Sequence, residues 1–159
     1  MWKKECTSKR ETEEKSIVNI PLTSSFFVLS LAGAINSGYL AWKHRQKKPL
    51  VCPLDHDCSK VTESKWSRIF GIRNEVLGLL FFTGMLFSMI YALPPLTPVT
   101  TLYLYQLLAA AGALLVSLLL VLIQFFILRD YCFYCLISAG ITVLLFVNTL
   151  LLFVGSHLR

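Results

Sequence analysis

Four of the five cysteines stand in two close pairs. Cys52 and Cys58 are separated by Pro53-Leu54-Asp55-His56-Asp57, and Cys132 and Cys135 by Phe133-Tyr134. Thiols at such spacings can open and close disulfides, an exchange in which a thiolate attacks a sulfur and passes through a mixed disulfide. An odd number leaves one cysteine without a partner in the chain, and Cys6, in a charged leader, is taken to be that one. The second pair opens an apolar run read as a helix, where the positive end of the helix dipole favours the thiolate of Cys132.

The residues by themselves leave other chemistry open. Buried cysteines also serve as small apolar side chains, and Cys52 and Cys58 can form a static disulfide. Cys, His and Asp are all zinc ligands, although their spacing here matches no structural zinc pattern. No His follows Cys135, so covalent c-type haem is not indicated.

The elements that must position these pairs are membrane spans. At 159 residues the chain has room for one domain, and 15% charged content is well below the roughly 25% of soluble proteins. The net charge of +6 does not call for nucleic acid, because the fifteen Lys and Arg fall almost wholly in the first fifteen residues and between Lys43 and Arg73. Basic residues flanking apolar runs belong at a membrane surface. No Asp, Glu, Lys or Arg lies between Lys15 and Lys43, and the apolar run continues past Ala32-Gly33-Ala34, which argues against a cleaved signal peptide. From Val76 to Leu128 no charge occurs either, a length more than twice that needed to cross the bilayer. Leu93-Pro94-Pro95-Leu96-Thr97-Pro98 supplies the fold-back, since proline removes backbone donors and disfavours helix in its neighbours.

The expected fold is an all-α integral membrane bundle of four transmembrane helices, with a charged leader over 1–17 and a membrane domain over 18–155. The spans are read at about 18–42, 75–93, 99–128 and 131–155, with a redox loop over 43–73. Odd-numbered spans exit on one side, so all four paired cysteines are expected at one membrane face. Small residues Gly33, Ser37 and Gly38 in span one, and Ala109 to Gly112 in span three, suit close helix approach. After Cys58, helical spacing puts Trp66, Ile69 and Phe70 on one arc and Lys60, Lys65 and Arg68 on the opposite arc. That segment is expected as a short interfacial helix, and as a lid over whatever binds beside Cys135.

These residues resemble the vitamin K epoxide reductase family: Cys52-x5-Cys58, Ser59-Lys60-Val61, Ser64-Lys65-Trp66-Ser67-Arg68-Ile69-Phe70-Gly71, Asn74 with Gly78, and Asp130-Tyr131-Cys132-x-x-Cys135. The resemblance runs from span one to span four. It implies a helix bundle around a quinone of the ubiquinone, menaquinone or vitamin K type, with Cys132 and Cys135 as the active-site pair and Cys52 and Cys58 as the shuttle pair. It further implies that Asn74 hydrogen-bonds a quinone carbonyl, with Ser64, Trp66 and Phe70 in the lid around the ring. Helix capping is the plain alternative for Asn74 and Ser64.

Two departures from the family pattern stand out. Ala139 takes the place of a tyrosine found in vertebrate members, which puts that quinone contact in doubt. No thioredoxin-like domain follows span four, so the implied electron donor is a separate thioredoxin-fold protein. The expected activity is a quinone-linked thiol-disulfide oxidoreductase of the cell membrane that supports protein disulfide formation. The alternatives are dithiol-driven reduction of a quinone or quinone epoxide, and a non-catalytic tetraspan with structural or metal-binding cysteines. Lys and Arg number eight in the first loop and one in the third, against five in the leader and one at the C-terminus, a bias that favours cytoplasmic cysteines. The bacterial relatives implied by the resemblance place them outside. The outward arrangement is the expectation, with inversion as the alternative.

Overall fold

The computed structural model describes residues 2–46, 67–69, 71–91, 99–130 and 132–157. Its helices are α1 (Trp2–Arg45), α2 (Asn74–Tyr91), α3 (Val99–Ile123) and α4 (Phe133–His157). A short hairpin, β1 (Arg68–Ile69) and β2 (Ile72–Arg73), stands before α2, and a π-turn (Gln124–Leu128) ends α3. Three segments are long and apolar enough to cross a membrane, Pro21–Arg45, Thr101–Leu128 and Phe133–Ser156. The apolar part of α2, Asn74–Met89, is shorter. At about 1.5 Å per residue it reaches roughly 24 Å against a hydrocarbon core of about 30 Å. The chain is therefore an all-α membrane protein in which, among the described residues, three helices have full spanning length and another is shorter.

Helix α1 runs unbroken from Trp2 to Arg45, with Pro21 in its interior, and so carries the charged leader as well as the first apolar run. Lys, Glu and Arg are good helix formers, so the onset of charge marks the edge of a span but does not end a helix. The interfacial helix does not extend over Arg68 and Ile69, which pair as a strand with Arg73 and Ile72. Gly71 turns the chain with φ +79°, a left-handed conformation that suits glycine, and the flanking β-branched isoleucines favour the extended state. Trp66, Phe70, Lys60 and Lys65 lie outside the described residues.

Helices α1 and α2 run antiparallel and close-packed. The Phe82 ring lies so near Gly33 that a Cβ there would stand 2.5 Å from it, and a Cβ at Gly78 would stand 3.0 Å from the Ser37 hydroxyl. Helix α4 runs antiparallel to α1, tied by Asn36 to Ser138 near one end and by Asn148 to Ser25 near the other. Helix α3 packs on α4, whereas α2 and α3 scarcely touch although they follow one another in sequence. Near the end of the bundle away from the cysteines, Gln106 of α3 donates to the Ser88 hydroxyl of α2 at 2.8 Å. The core of Phe26, Phe82, Met85, Ala110, Leu145 and Leu152 is buried between the helices. Outer side chains such as Leu31, Leu118, Leu119 and Phe126 are exposed, as lipid-facing residues must be.

Small residues do not all act alike. Gly33 and Ser37 admit a neighbouring helix as expected, but a Cβ at Gly112 would meet nothing within 4 Å. Replacing Gly33 with Ala drives a methyl group into the Phe82 ring. It is expected to cost about 1–3 kcal/mol, the usual penalty of overpacking. Gly84, with no neighbour within 4 Å of its Cβ position, accepts Ala without loss. Unfolding midpoints in mild detergent for the two variants check this contrast.

Candidate functional site

One end of the bundle gathers the residues that carry chemistry. There the last turns of α1 meet the hairpin, the first turn of α2, the π-turn and the first turn of α4. Arg73 donates from Nη2 to His44 Nδ1 at 3.0 Å and from Nε to Glu75 Oε2 at 3.3 Å. The rings of Tyr39 and Tyr134 lie 5.5 Å apart, and the Lys43 ammonium sits 5.9 Å from the Tyr39 ring centre. The ends of α1 and α3 and the starts of α2 and α4 thus lie together, as the span order requires.

Cys132 occupies the capping position of α4. Its carbonyl accepts the Leu136 amide at 3.1 Å, the first intrahelical bond, and its sulfur accepts the free amides of Tyr134 and Cys135. Those amides have no partner inside the helix, and a capping side chain usually supplies one. Cys132 lies just ahead of the span Phe133–Ser156. Its thiol is held below the ordinary value, first by the hydrogen bond from the Cys135 side chain, against burial, which raises it. The Cys135 and Tyr134 amides at the helix start act in the same direction as that bond. Both cysteines are free thiols; Cys132 is fully buried and Cys135 partly exposed.

Two amide side chains hold this first turn in place. Asn36 of α1 donates to the Tyr134 carbonyl at 3.0 Å and to the Ser138 hydroxyl at 2.8 Å. Gln124, buried in the π-turn, accepts the Cys132 amide through Oε1 at 3.4 Å and also meets the Cys135 thiol. The π-turn widens the backbone just where Gln124 must face inward, a common use of such turns at functional sites. Arg129 follows in the left-handed region with φ 52°, and the chain turns back so that Cys132 reaches Gln124.

Where α2 and α3 stand apart, a cavity of about 520 Å³ opens between them, floored by α4. Its walls include Leu77, Phe81, Ala109, Gly112, Ala113 and Leu120, and Cys135 opens onto it. Asn74, Glu75 and Gln124 are polar groups in its lining. Leu80 and Leu108 border it and are 60% and 61% exposed, so the cavity faces the lipid side. The volume falls within the 300–1,000 Å³ of small-molecule sites, and a few polar groups in an apolar lining fit the same description.

Of the residues singled out in the sequence, Cys132, Cys135 and Asn74 come together at this end, and Ala139 lines the cavity. Cys52, Cys58, Ser64, Trp66 and Phe70 lie outside the described residues. Glu75, Gln124, Asn36 and Ser138 escaped the sequence reading. The available signal for Gln124 was a lone amide inside a long apolar run, since polar side chains at membrane depth are rarely idle.

The fold and site define a helical membrane protein with a dithiol at a helix start, opening onto an apolar cavity bordered by exposed leucines. More particularly, residues 25–150 match the model of the vitamin K epoxide reductase family, and the chain belongs to that family. Its members are oxidoreductases that generally act with quinones. No curated protein matches the chain at a significant level.

Gln124→Leu removes the acceptor of the Cys132 amide and leaves a buried N–H unpaired. It is expected to destabilise the protein by about 1–3 kcal/mol. Thermal unfolding of the purified variant beside wild type checks this.

Proposed function

We propose that the protein is a quinone-linked thiol-disulfide oxidoreductase that crosses the cell membrane four times, with α2 as the short second crossing. It oxidises a separate thioredoxin-fold protein and so supports disulfide formation in other proteins. The observation that carries this reading is the placement of Cys135 on a lipid-facing apolar cavity, with the Asn74 amide in the lining and Cys132 buried behind it. A quinone ring fits that lining: apolar walls for its faces, an amide donor for a carbonyl oxygen, and a dithiol at one end. When bound, it would take up two electrons and two protons.

The roles of the chain's own residues follow from exchange chemistry. Cys52 and Cys58 on the loop accept electrons from the partner's dithiol. A loop thiolate then attacks the Cys132 sulfur of the Cys132–Cys135 disulfide and releases Cys135, which takes up a proton at the cavity. The second loop thiol attacks the mixed disulfide, closing Cys52–Cys58 and freeing the Cys132 thiolate. Closure of the Cys132–Cys135 bond, with two electrons passing to a bound quinone, would return the site to its oxidised form. Each transfer between thiols passes through a mixed disulfide, and about 30 mV of potential difference shifts its equilibrium tenfold. Ser64, Trp66 and Phe70 serve as a lid over the ring, and Asn74 orients it. The cysteine face lies outside the cytoplasm in this reading, against the bias of the basic loop.

Purified protein supplied with ubiquinone or menaquinone and a reduced thioredoxin-like donor tests the relay by absorbance. Wild type is expected to reduce the quinone, Cys132→Ala and Cys135→Ala to abolish that reduction, and Cys52→Ala to block electrons from the protein donor alone. Equal behaviour of all four proteins would assign the cysteines a structural role. Labelling of Cys52 and Cys58 in intact cells by a membrane-impermeant thiol reagent is expected for the outward orientation; protection until lysis would invert it.

A further inference from the structure

Glu75 is the acidic residue in the lining of the cavity, and its two oxygens are treated differently. Oε2 is held by Arg73, whose other end is anchored on His44, so the carboxyl group is fixed in place. Oε1 has no hydrogen-bond partner among the described residues, although the side chain is only 7% exposed. A helix start favours a carboxylate, and an ion pair with Arg73 adds to that. Neither accounts for a free carboxylate oxygen left buried beside an apolar cavity, an arrangement that normally carries a substantial penalty. Asn74 precedes Glu75 in the chain and shares the lining. Cys132 and Cys135 lie near enough for the Glu75 charge to act on both sulfurs.

We propose that Glu75 is the proton-transfer group of this cavity: Oε1 takes the proton of the Cys135 thiol and delivers it to a ring oxygen of a quinone held at Asn74. The proposal rests on the quinone reading above. In the balanced step one S–S bond forms between Cys132 and Cys135, and two electrons pass to the quinone. The Cys135 proton crosses through Glu75 to one ring oxygen. A second proton, from water at the membrane face, matches the Cys132 thiolate and goes to the other oxygen. Glu75 ends as it began, a carboxylate paired with Arg73. Among the described residues, the titratable and charged groups that face it are Arg73 from the hairpin, His44 from α1 through Arg73, and Cys132, Tyr134 and Cys135 from the start of α4; α3 contributes the neutral Gln124.

The test compares wild type, Glu75→Gln and Glu75→Asp in detergent with bound menaquinone, using single-turnover kinetics and electrochemically poised infrared difference spectra. Glu75→Gln is expected to slow quinone reduction by about 10²-fold or more, the usual contribution of a positioned proton-transfer group. The loss should fall on kcat for quinone reduction more than on KM for quinone. Wild type should show a carboxyl band that changes with the redox state of the quinone, shifts in D2O and is missing in Glu75→Gln. Glu75→Asp should show the band displaced and recover part of the rate, and it serves where the Gln variant fails to fold. Wild-type turnover by Glu75→Gln, or a band that persists in it, would overturn the proposal. If wild type exchanges thiols but reduces no quinone, the quinone reading fails first, and that is seen without any Glu75 variant.

Discussion

Where the first turn of α4 sits decides the geometry of the cavity, and that turn is held on two sides by amide side chains. Asn36 reaches it from α1 and Gln124 from α3. At membrane depth no water competes for these groups, so backbone and side-chain polar atoms must find partners within the protein. Such bonds contribute on the order of 1 kcal/mol each, but each fixes an orientation. Their effect is therefore one of direction. Close packing of Phe82 on Gly33 supplies strength, while Asn36 and Gln124 set the rotation of α4 that turns Cys135 toward the cavity and Cys132 away from it.

The same constraint explains the gap between α2 and α3. Consecutive antiparallel helices usually pack together, but here α2 is committed to α1 through Gly33, Ser37 and Gly78, and α3 is committed to α4. Each has buried its best-fitting face elsewhere. Ala109, Gly112 and Ala113 keep the wall of α3 low, so the space between the two helices stays open instead of filling with side chains. The Ser88–Gln106 bond ties α2 to α3 away from the cysteines, and the cavity occupies the part of the gap toward them.

The helices themselves were legible because long uncharged runs are a strong and simple signal. Their ends were less so. A run of charge marks the edge of an apolar span, yet it sets only where lipid stops, and helix α1 continues through it to Trp2. The segment Gln124-Phe125-Phe126-Ile127-Leu128 contains no Gly or Pro to announce a π-turn, and Arg129 adopts a left-handed conformation without the glycine that usually marks it. The hairpin at Arg68–Arg73 was hidden by the opposite problem, since a few residues satisfy helical arcs and strand alternation equally well. Gly112 shows a further limit: composition cannot separate a small residue that admits a helix from one that leaves room for a ligand. The chemistry was easier to read than the wall around it, because the Cys132–Cys135 spacing is local, whereas Glu75 and Gln124 acquire meaning only once α2, α3 and α4 are brought together.

That convergence also sorts the reactants by solubility. A ligand that travels in the bilayer can approach past Leu80 and Leu108 into apolar walls and meets Asn74, Glu75 and Cys135 where the lining turns polar. In the proposed relay a water-soluble protein thiol, which has no such route, passes its electrons at the membrane face to the loop pair Cys52 and Cys58. Cys135 opens onto the cavity and Cys132 is buried behind it at the helix start, so in the proposed relay the two sulfurs divide the approaches between them. Electrons would then cross from aqueous to lipid-borne partners by a change of disulfide partner over one helical turn, without either reactant entering the other's phase.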